Sequence, residues 1–247
     1  DVDYIRKRLS NRTKGIVLIN PNNPTGALYS KKVVKQIIDV AGEYNIPVIS
    51  DEIYDDMVFE DKHYATASLS KDVPIITFNG FSKVYLVPGW RIGYAMFHHN
   101  GELAEVQDAF MRIARSRLCA NSVCQKACVQ ALKGPQDHIK KVNDKLRKRR
   151  DFSYKRLNEI PGISTAKPKG AFYIFPKIEA MEEGGWKDDK EFVLDLLHEE
   201  KVLVVQGSGF CPIYGKNHFR AVILPELETL EEAFDKLENF MKKRLNR

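Results

Sequence analysis

Four cysteines in 247 residues, Cys119, Cys124, Cys128 and Cys211, are too few to scaffold a chain of this length with disulfides, so a reducing compartment, the cytoplasm, is expected. No run approaches the ~18 consecutive apolar residues of a membrane span, and no charged-then-apolar leader opens the chain, so no membrane association is expected. Internal repeats and low-complexity tracts are also absent. What is present is the balance of a folded soluble protein, 43% hydrophobic and 29% charged residues. The length allows one large domain or two modest ones.

The net charge of +6 raises nucleic acid as a partner. The excess is local, however: Lys140, Lys141, Lys145, Arg147, Lys148, Arg149 and Arg150 fall within eleven positions. They lie in a polar pattern over 136–159 whose thin apolar stripe is Ile139, Val142, Leu146, Tyr154 and Leu157. This spacing predicts a half-exposed helix with a solvated basic face. No aromatic platform for RNA and no zinc finger accompanies it, so no nucleic-acid partner is expected.

Short apolar runs at 15–20, 47–50, 75–78 and 91–97 read as strands without period-2 polarity. Between and after them, 30–44, 101–117 and 122–133 read as helices. Such alternation predicts an α/β fold, a mostly parallel sheet with helices on both faces. After Pro161-Gly162 the pattern changes to strands at 163–166, 171–175, 202–205 and 219–224, with helices at 188–200 and 227–245. The expected organisation is a partial large domain over 1–135, a connecting helix over 136–160, and a smaller α+β domain over 161–247.

In open α/β sheets, ligands bind outside the carboxyl ends of the strands. The first strand is followed by NPNNPTG at 20–26, the second by Asp51-Glu52-Ile53-Tyr54, and the third by Asn79-Gly80-Phe81-Ser82-Lys83, running on to Arg91. Taken singly, these are a turn, a helix cap and a surface lysine. Together they bring a carboxylate, a phenol, an amine, a hydroxyl, a guanidinium and amides to one edge of the sheet, which points to an active site.

These motifs, NPNNPTG, DEIY, SKVYLVPGWR and the late HFR at 218–220, closely resemble the fold-type I aminotransferases of class I/II. The stretch FNGFSKVYLVPGWRIGY at 78–94 is most similar to the alanine aminotransferase branch. The resemblance covers nearly the whole chain but not the whole family, whose members are about half as long again. The N-terminal part is missing, and with it the glycine-rich phosphate loop, the aromatic that stacks on the cofactor ring and a tyrosine lent by a neighbouring subunit. The chain is therefore expected to be part of a homodimeric enzyme and to hold cofactor poorly alone.

The resemblance implies pyridoxal 5'-phosphate as cofactor and an amino acid and a 2-oxo acid as substrates, with alanine and 2-oxoglutarate expected. It implies that Lys83 holds the cofactor through its aldehyde and acts as the base, a role arginine cannot fill. Asp51 would pair with the pyridine nitrogen and keep it protonated. Tyr54 and Asn23 would hydrogen-bond the phenolic oxygen, Ile53 would face the ring, and Ser82 and Arg91 would bind the phosphate. Arg220 would hold the substrate α-carboxylate. The same motifs suit an aromatic or aspartate aminotransferase, a lyase of this fold, or a non-catalytic effector module. Gly80 stands where many relatives have Ser or Thr, and Gln206 replaces a common proline. Cys124 and Cys128, one helical turn apart, are expected to pack in the core, and no metal site is expected.

Overall fold

Three short apolar segments, β1 (Ile16–Ile19), β2 (Val48–Asp51) and β3 (Ile75–Gly80), pair in parallel, and β4 (Gly93–His98) closes the order β1-β2-β3-β4 as an antiparallel neighbour of β3. The computed structural model that shows this describes residues 2–246. Its contacts divide the chain into two units: Asp1–Pro21 with Leu28–Lys140, and Asn22–Ala27 with Lys141–Arg247.

In the first unit, α2 (Lys31–Glu43) begins at Ser30, whose side chain accepts the Val33 N–H as an N-cap. Val34, Ile37, Ile38 and Ala41 recur at helical spacing and are buried against Leu18, Val48 and Ile75 of the sheet. The helix α1 (Val2–Arg8), which the sequence reading did not anticipate, packs Ile5 on the same cluster. Arg6 of α1 forks onto Glu43 of α2 with bonds of 3.0 and 2.8 Å. The opposite sheet face carries Phe78 and Phe97, and Phe110 of α3 (Ala104–Ser116) meets them at 5.9 and 5.3 Å between ring centroids. Helices therefore cover both faces, as the alternation implied. Val17, Met96, Met111 and Ile113 are exposed apolar residues of this unit. The helix α4 (Ser122–Lys133) is capped by Asn121, which accepts the N–H groups of Val123 and Cys124.

The unit boundary falls inside α5 (Asp137–Glu159), so most of the helix read as a connector belongs with the second unit. Its basic run is not uniformly solvated, which corrects the sequence reading. Arg149 and Arg150 are buried. Arg150 donates to the Pro168 carbonyl at 2.6 Å and lies 2.8 Å from Asp151, while Arg149 bonds the Leu224 carbonyl and Glu226. Arginine suits this burial because its fork can satisfy several acceptors at once.

Around α5 the second unit arranges β5 (Ile163–Ser164), β6 (Tyr173–Ile174), β7 (Lys177–Ile178), β8 (Val205–Gln206) and β9 (Phe219–Val222) in antiparallel pairs, with orders β5-β7 and β6-β9-β8. The remaining helices are α6 (Asp189–Glu200), capped by Asp188, and α7 (Leu227–Leu245). Aromatic rings fill the core: Phe192 meets Trp186, Phe219 and Phe240 at centroid separations of 4.9, 5.6 and 5.6 Å. The strands are shorter than their apolar runs. Among the described residues, no helix is long and apolar enough to cross a membrane.

The packing of α2 on the sheet sets the stability of the first unit. Ile38 is 1% exposed. Replacing it with alanine leaves a cavity in a close-packed layer and should cost about 3 kcal/mol, read as a lowered urea midpoint at unchanged slope.

Candidate active site

The parallel register sets the level at which functional groups leave the sheet. Ile19, Asp51 and Phe78 are direct partners across β1, β2 and β3; β1 and β2 end at this level, and β3 runs two residues further, to Gly80, along β4. Asp51 Oδ1 accepts the Ile53 N–H at 3.1 Å, which turns the chain sharply after β2 and leaves the other carboxylate oxygen for a ligand. Tyr54 follows with its ring buried.

Beneath this turn lies a polar network that the sequence reading missed. Glu52 is only 3% exposed. Its Oε1 accepts from Ser50 Oγ at 2.8 Å and from the Thr66 N–H at 2.9 Å, and its Oε2 faces His63 Nε2 at 3.8 Å. Ser50 and Glu52 flank Asp51 in sequence, so their bonds fix the backbone on both sides of it. Asp55 takes the Asn79 amide at 2.7 Å, and Asn79 Oδ1 in turn accepts the Gly80 N–H at 2.6 Å, linking the turn after β2 to the end of β3.

The Ser82-Lys83 turn follows β3 directly. Lys83 Nζ lies 5.9 Å from the centre of the Tyr54 ring, so the amine and the phenol of two separate motifs share one place. Phe81, Ile92 and Cys128 form a small core under the turn, with Tyr85, Val87 and Cys124 against it. The two cysteines are therefore packing residues, and burial raises the Cys128 thiol above its ordinary range. Among the described residues no cluster suited to a metal ion occurs. Tyr85 donates to Gln136 at 3.1 Å, tying the turn to the segment before α5.

Arg91 sits at φ 55°, a left-handed conformation that is uncommon outside glycine. Its Nη1 donates to the Pro88 carbonyl at 2.8 Å. An exposed arginine held this way is a frequent feature of ligand clamps. Gly80 has a physical reason to lack a side chain. A Cβ there would come within 2.8 Å of the Ile92 carbonyl and 3.0 Å of Gly93 Cα, so the serine or threonine of many relatives would displace β4 backbone.

Asn23 and Arg220 belong to the second unit and are joined there. Arg220 Nη1 donates to Asn23 Oδ1 at 2.8 Å, across 197 positions of sequence. The Asn23 segment is held by Gly26, at φ 67°, whose carbonyl accepts the N–H groups of Lys169 and Gly170 at 2.8 and 3.0 Å. A Cβ on Gly26 would meet Pro168 and the Tyr173 carbonyl within 2.7 Å, so the closing glycine of NPNNPTG is required by this approach. Arg220 Nε is buried and has no hydrogen-bond partner among the described residues.

Of the seven residues singled out from sequence, Asp51, Tyr54, Ser82, Lys83 and Arg91 lie in the first unit, and Asn23 and Arg220 in the second. Glu52 and Asn79 lie inside the motifs and Asp55 beside one, but nothing in the sequence marked them or His63 as supporting groups, because most of their partners are distant in sequence.

Residues 1–237 match the family described as aminotransferase class I and II, and the chain belongs to that family. Over 245 residues it is 40% identical to the glutamate-pyruvate aminotransferase AlaA of Escherichia coli, covering 98% of this chain and 60% of that protein. It is 39% identical over 246 residues to an alanine aminotransferase of Mycobacterium tuberculosis, covering 98% and 57%. The solved alanine aminotransferase of Pyrococcus furiosus superposes with a TM-score of 0.95 at 59% identity, covering 99% of this chain and 61% of that one. The chain thus spans about three fifths of the length of these relatives. The cofactor of the family is pyridoxal 5'-phosphate.

Burial holds the Asp55 carboxyl above its usual range, and the neighbouring Asp56 adds to this, against the opposing Asn79 bond. The folded chain therefore keeps this proton over a window in which unfolded Asp has lost it, and the contribution to stability falls as pH rises through that window. Asp55→Asn retains a carbonyl for Asn79 and removes the penalty. Its urea midpoint should gain on that of the wild type as pH rises above about 4, and midpoints that stay parallel would contradict the assignment.

Proposed function

We propose that the protein acts as a transaminase, moving an amino group between an L-amino acid, with alanine as donor, and a 2-oxo acid such as 2-oxoglutarate. The observation that carries this reading is the arrangement after β2 and β3: Asp51 and the buried Tyr54 follow β2, the Ser82-Lys83 turn follows β3, and Lys83 Nζ lies 5.9 Å from the centre of the Tyr54 ring. The names of the alanine and glutamate-pyruvate relatives support the choice of substrates. The working enzyme is read as a cytoplasmic homodimer, and four cysteines without disulfides suit a reducing compartment.

The donor set fits pyridoxal phosphate group by group. When bound, the cofactor supplies an electron sink for the electrons released at the substrate Cα. Lys83 would be the primary amine that holds the aldehyde, and once the substrate amine has displaced it, its freed Nζ would be the base for the proton at the substrate Cα. Asp51, with Oδ1 occupied by the Ile53 N–H, presents its second oxygen to the ring N–H. Tyr54 would donate to the phenolic oxygen, and in the second unit Asn23 commits its carbonyl oxygen to Arg220. Ser82 and Arg91 hold the phosphate, the arginine through the part of its fork not used on Pro88. Arg220 holds the substrate carboxylate, which supplies the acceptor that its buried Nε lacks.

Borohydride reduction of the cofactor-loaded enzyme followed by peptide mass spectrometry should place the adduct on Lys83. Lys83→Ala should lose the adduct and at least about 10³-fold of turnover. An adduct on another lysine would overturn the assignment. A panel of amino donors should rank alanine above aromatic and dicarboxylic amino acids, and the reverse order would move the protein to another branch.

A further inference from the structure

Arg220 stands on β9 in a setting more elaborate than a surface arginine needs. Its Cζ lies 4.6 Å from the centre of the Tyr173 ring and 4.8 Å from that of Phe210. Both distances are inside the ~6 Å range of cation–π attraction. Tyr173 is buried and comes from β6, which pairs with β9 through Tyr173↔Val222 and Ile174↔Ala221. Phe210 comes from the turn after Gly207–Gly209 and is braced edge-on by Phe175 at 6.2 Å. The rings therefore reach the guanidinium from two different segments of chain.

The guanidinium is also held in its own plane. Nη1 donates to Asn23 Oδ1, while Nε is buried without a partner among the described residues. Buried N–H groups are nearly always paired, and an acceptor carried by a ligand would complete this one. A long flexible side chain loses much rotamer freedom when it binds, unless that freedom is already removed. Contact with two rings removes it and fixes the plane in which the fork lies. An acceptor pair that meets the Nε edge lies in this plane, as the two oxygens of a carboxylate do.

We propose that Tyr173 and Phe210 are positioning residues that pre-set the plane of Arg220, so that its Nε edge is ready for a carboxylate before the substrate arrives. The proposal rests on the reading of Arg220 as the carboxylate-binding residue. It assigns the pre-organisation of a charged contact to two aromatic side chains that carry no charge.

The test uses the cofactor-loaded enzyme and calorimetric titration with propionate, a carboxylate without an amino group. Phe210→Leu, at a partly exposed position, and Tyr173→Leu should each weaken propionate binding about tenfold. KM for both substrates should rise by a similar factor while kcat falls less than about threefold. Tyr173→Phe keeps the ring and should restore propionate affinity to within about twofold. Arg220→Lys keeps the charge, loses the fork, and should weaken propionate binding about 100-fold or more. If Arg220→Lys has this effect but Phe210→Leu binds propionate like the wild type, the positioning role is overturned and the role of Arg220 stands. If Arg220→Lys binds propionate normally, the reading beneath the proposal fails as well. A loss in Tyr173→Phe as large as in Tyr173→Leu would assign the effect to the hydroxyl and overturn the role of the ring.

Discussion

The parallel pairing of β1, β2 and β3 is the constraint on which the first unit depends. Peptide hydrogen bonds fix which residues lie opposite one another, and that register sets Ile19, Asp51 and Phe78 side by side where β1 and β2 end, with β3 running on to Gly80. Side-chain chemistry can then gather on one edge of the sheet. A slip of one residue along β2 would turn Asp51 to the opposite face of the sheet. Burial of Val48 and Ile75 against α2 opposes that slip, so the apolar face of a helix distant from the chemistry maintains the position of a carboxylate.

Polar contacts refine what the register sets. The buried Glu52, bonded to Ser50 and Thr66, steadies the turn that carries Asp51 and Tyr54. Asn79 bridges that turn to the end of β3 through Asp55 and the Gly80 N–H. In the second unit the same task falls to Gly26, which brings the Asn22–Ala27 segment against residues 168–173, and to Asn23, which meets Arg220. The NPNNPTG motif thus serves both units: Asn20 accepts the Tyr29 N–H in the first, while Asn23 acts in the second.

Much of this was legible in the sequence, for identifiable reasons. Apolar runs bounded by turn residues located β1 to β4 within a few residues, and helical spacing located α2, α4 and α7 closely. The candidate site residues could be singled out because strand-end motifs are local in sequence. What stayed hidden depends on contacts between distant positions. Arg149 and Arg150 read as surface charge, since nothing nearby in sequence announces the Leu224 and Pro168 carbonyls that satisfy them. The antiparallel direction of β4 is set by the Pro88–Trp90 turn and the left-handed Arg91, not by its apolar pattern. Helix α1 is too short to show a period, and the contacts of Tyr173 and Phe210 with Arg220 join segments that share no motif.

The central claim is that the strand end at Asp51 holds a protonated pyridine ring. The ring-nitrogen NMR shift of cofactor labelled with ¹⁵N and bound to the enzyme reads this directly. The account predicts a pyridinium signal near neutral pH in the wild type, and a shift to neutral pyridine in Asp51→Ala with the cofactor still bound. A pyridinium signal unchanged by the loss of Asp51, or a neutral ring in the wild type, would contradict it.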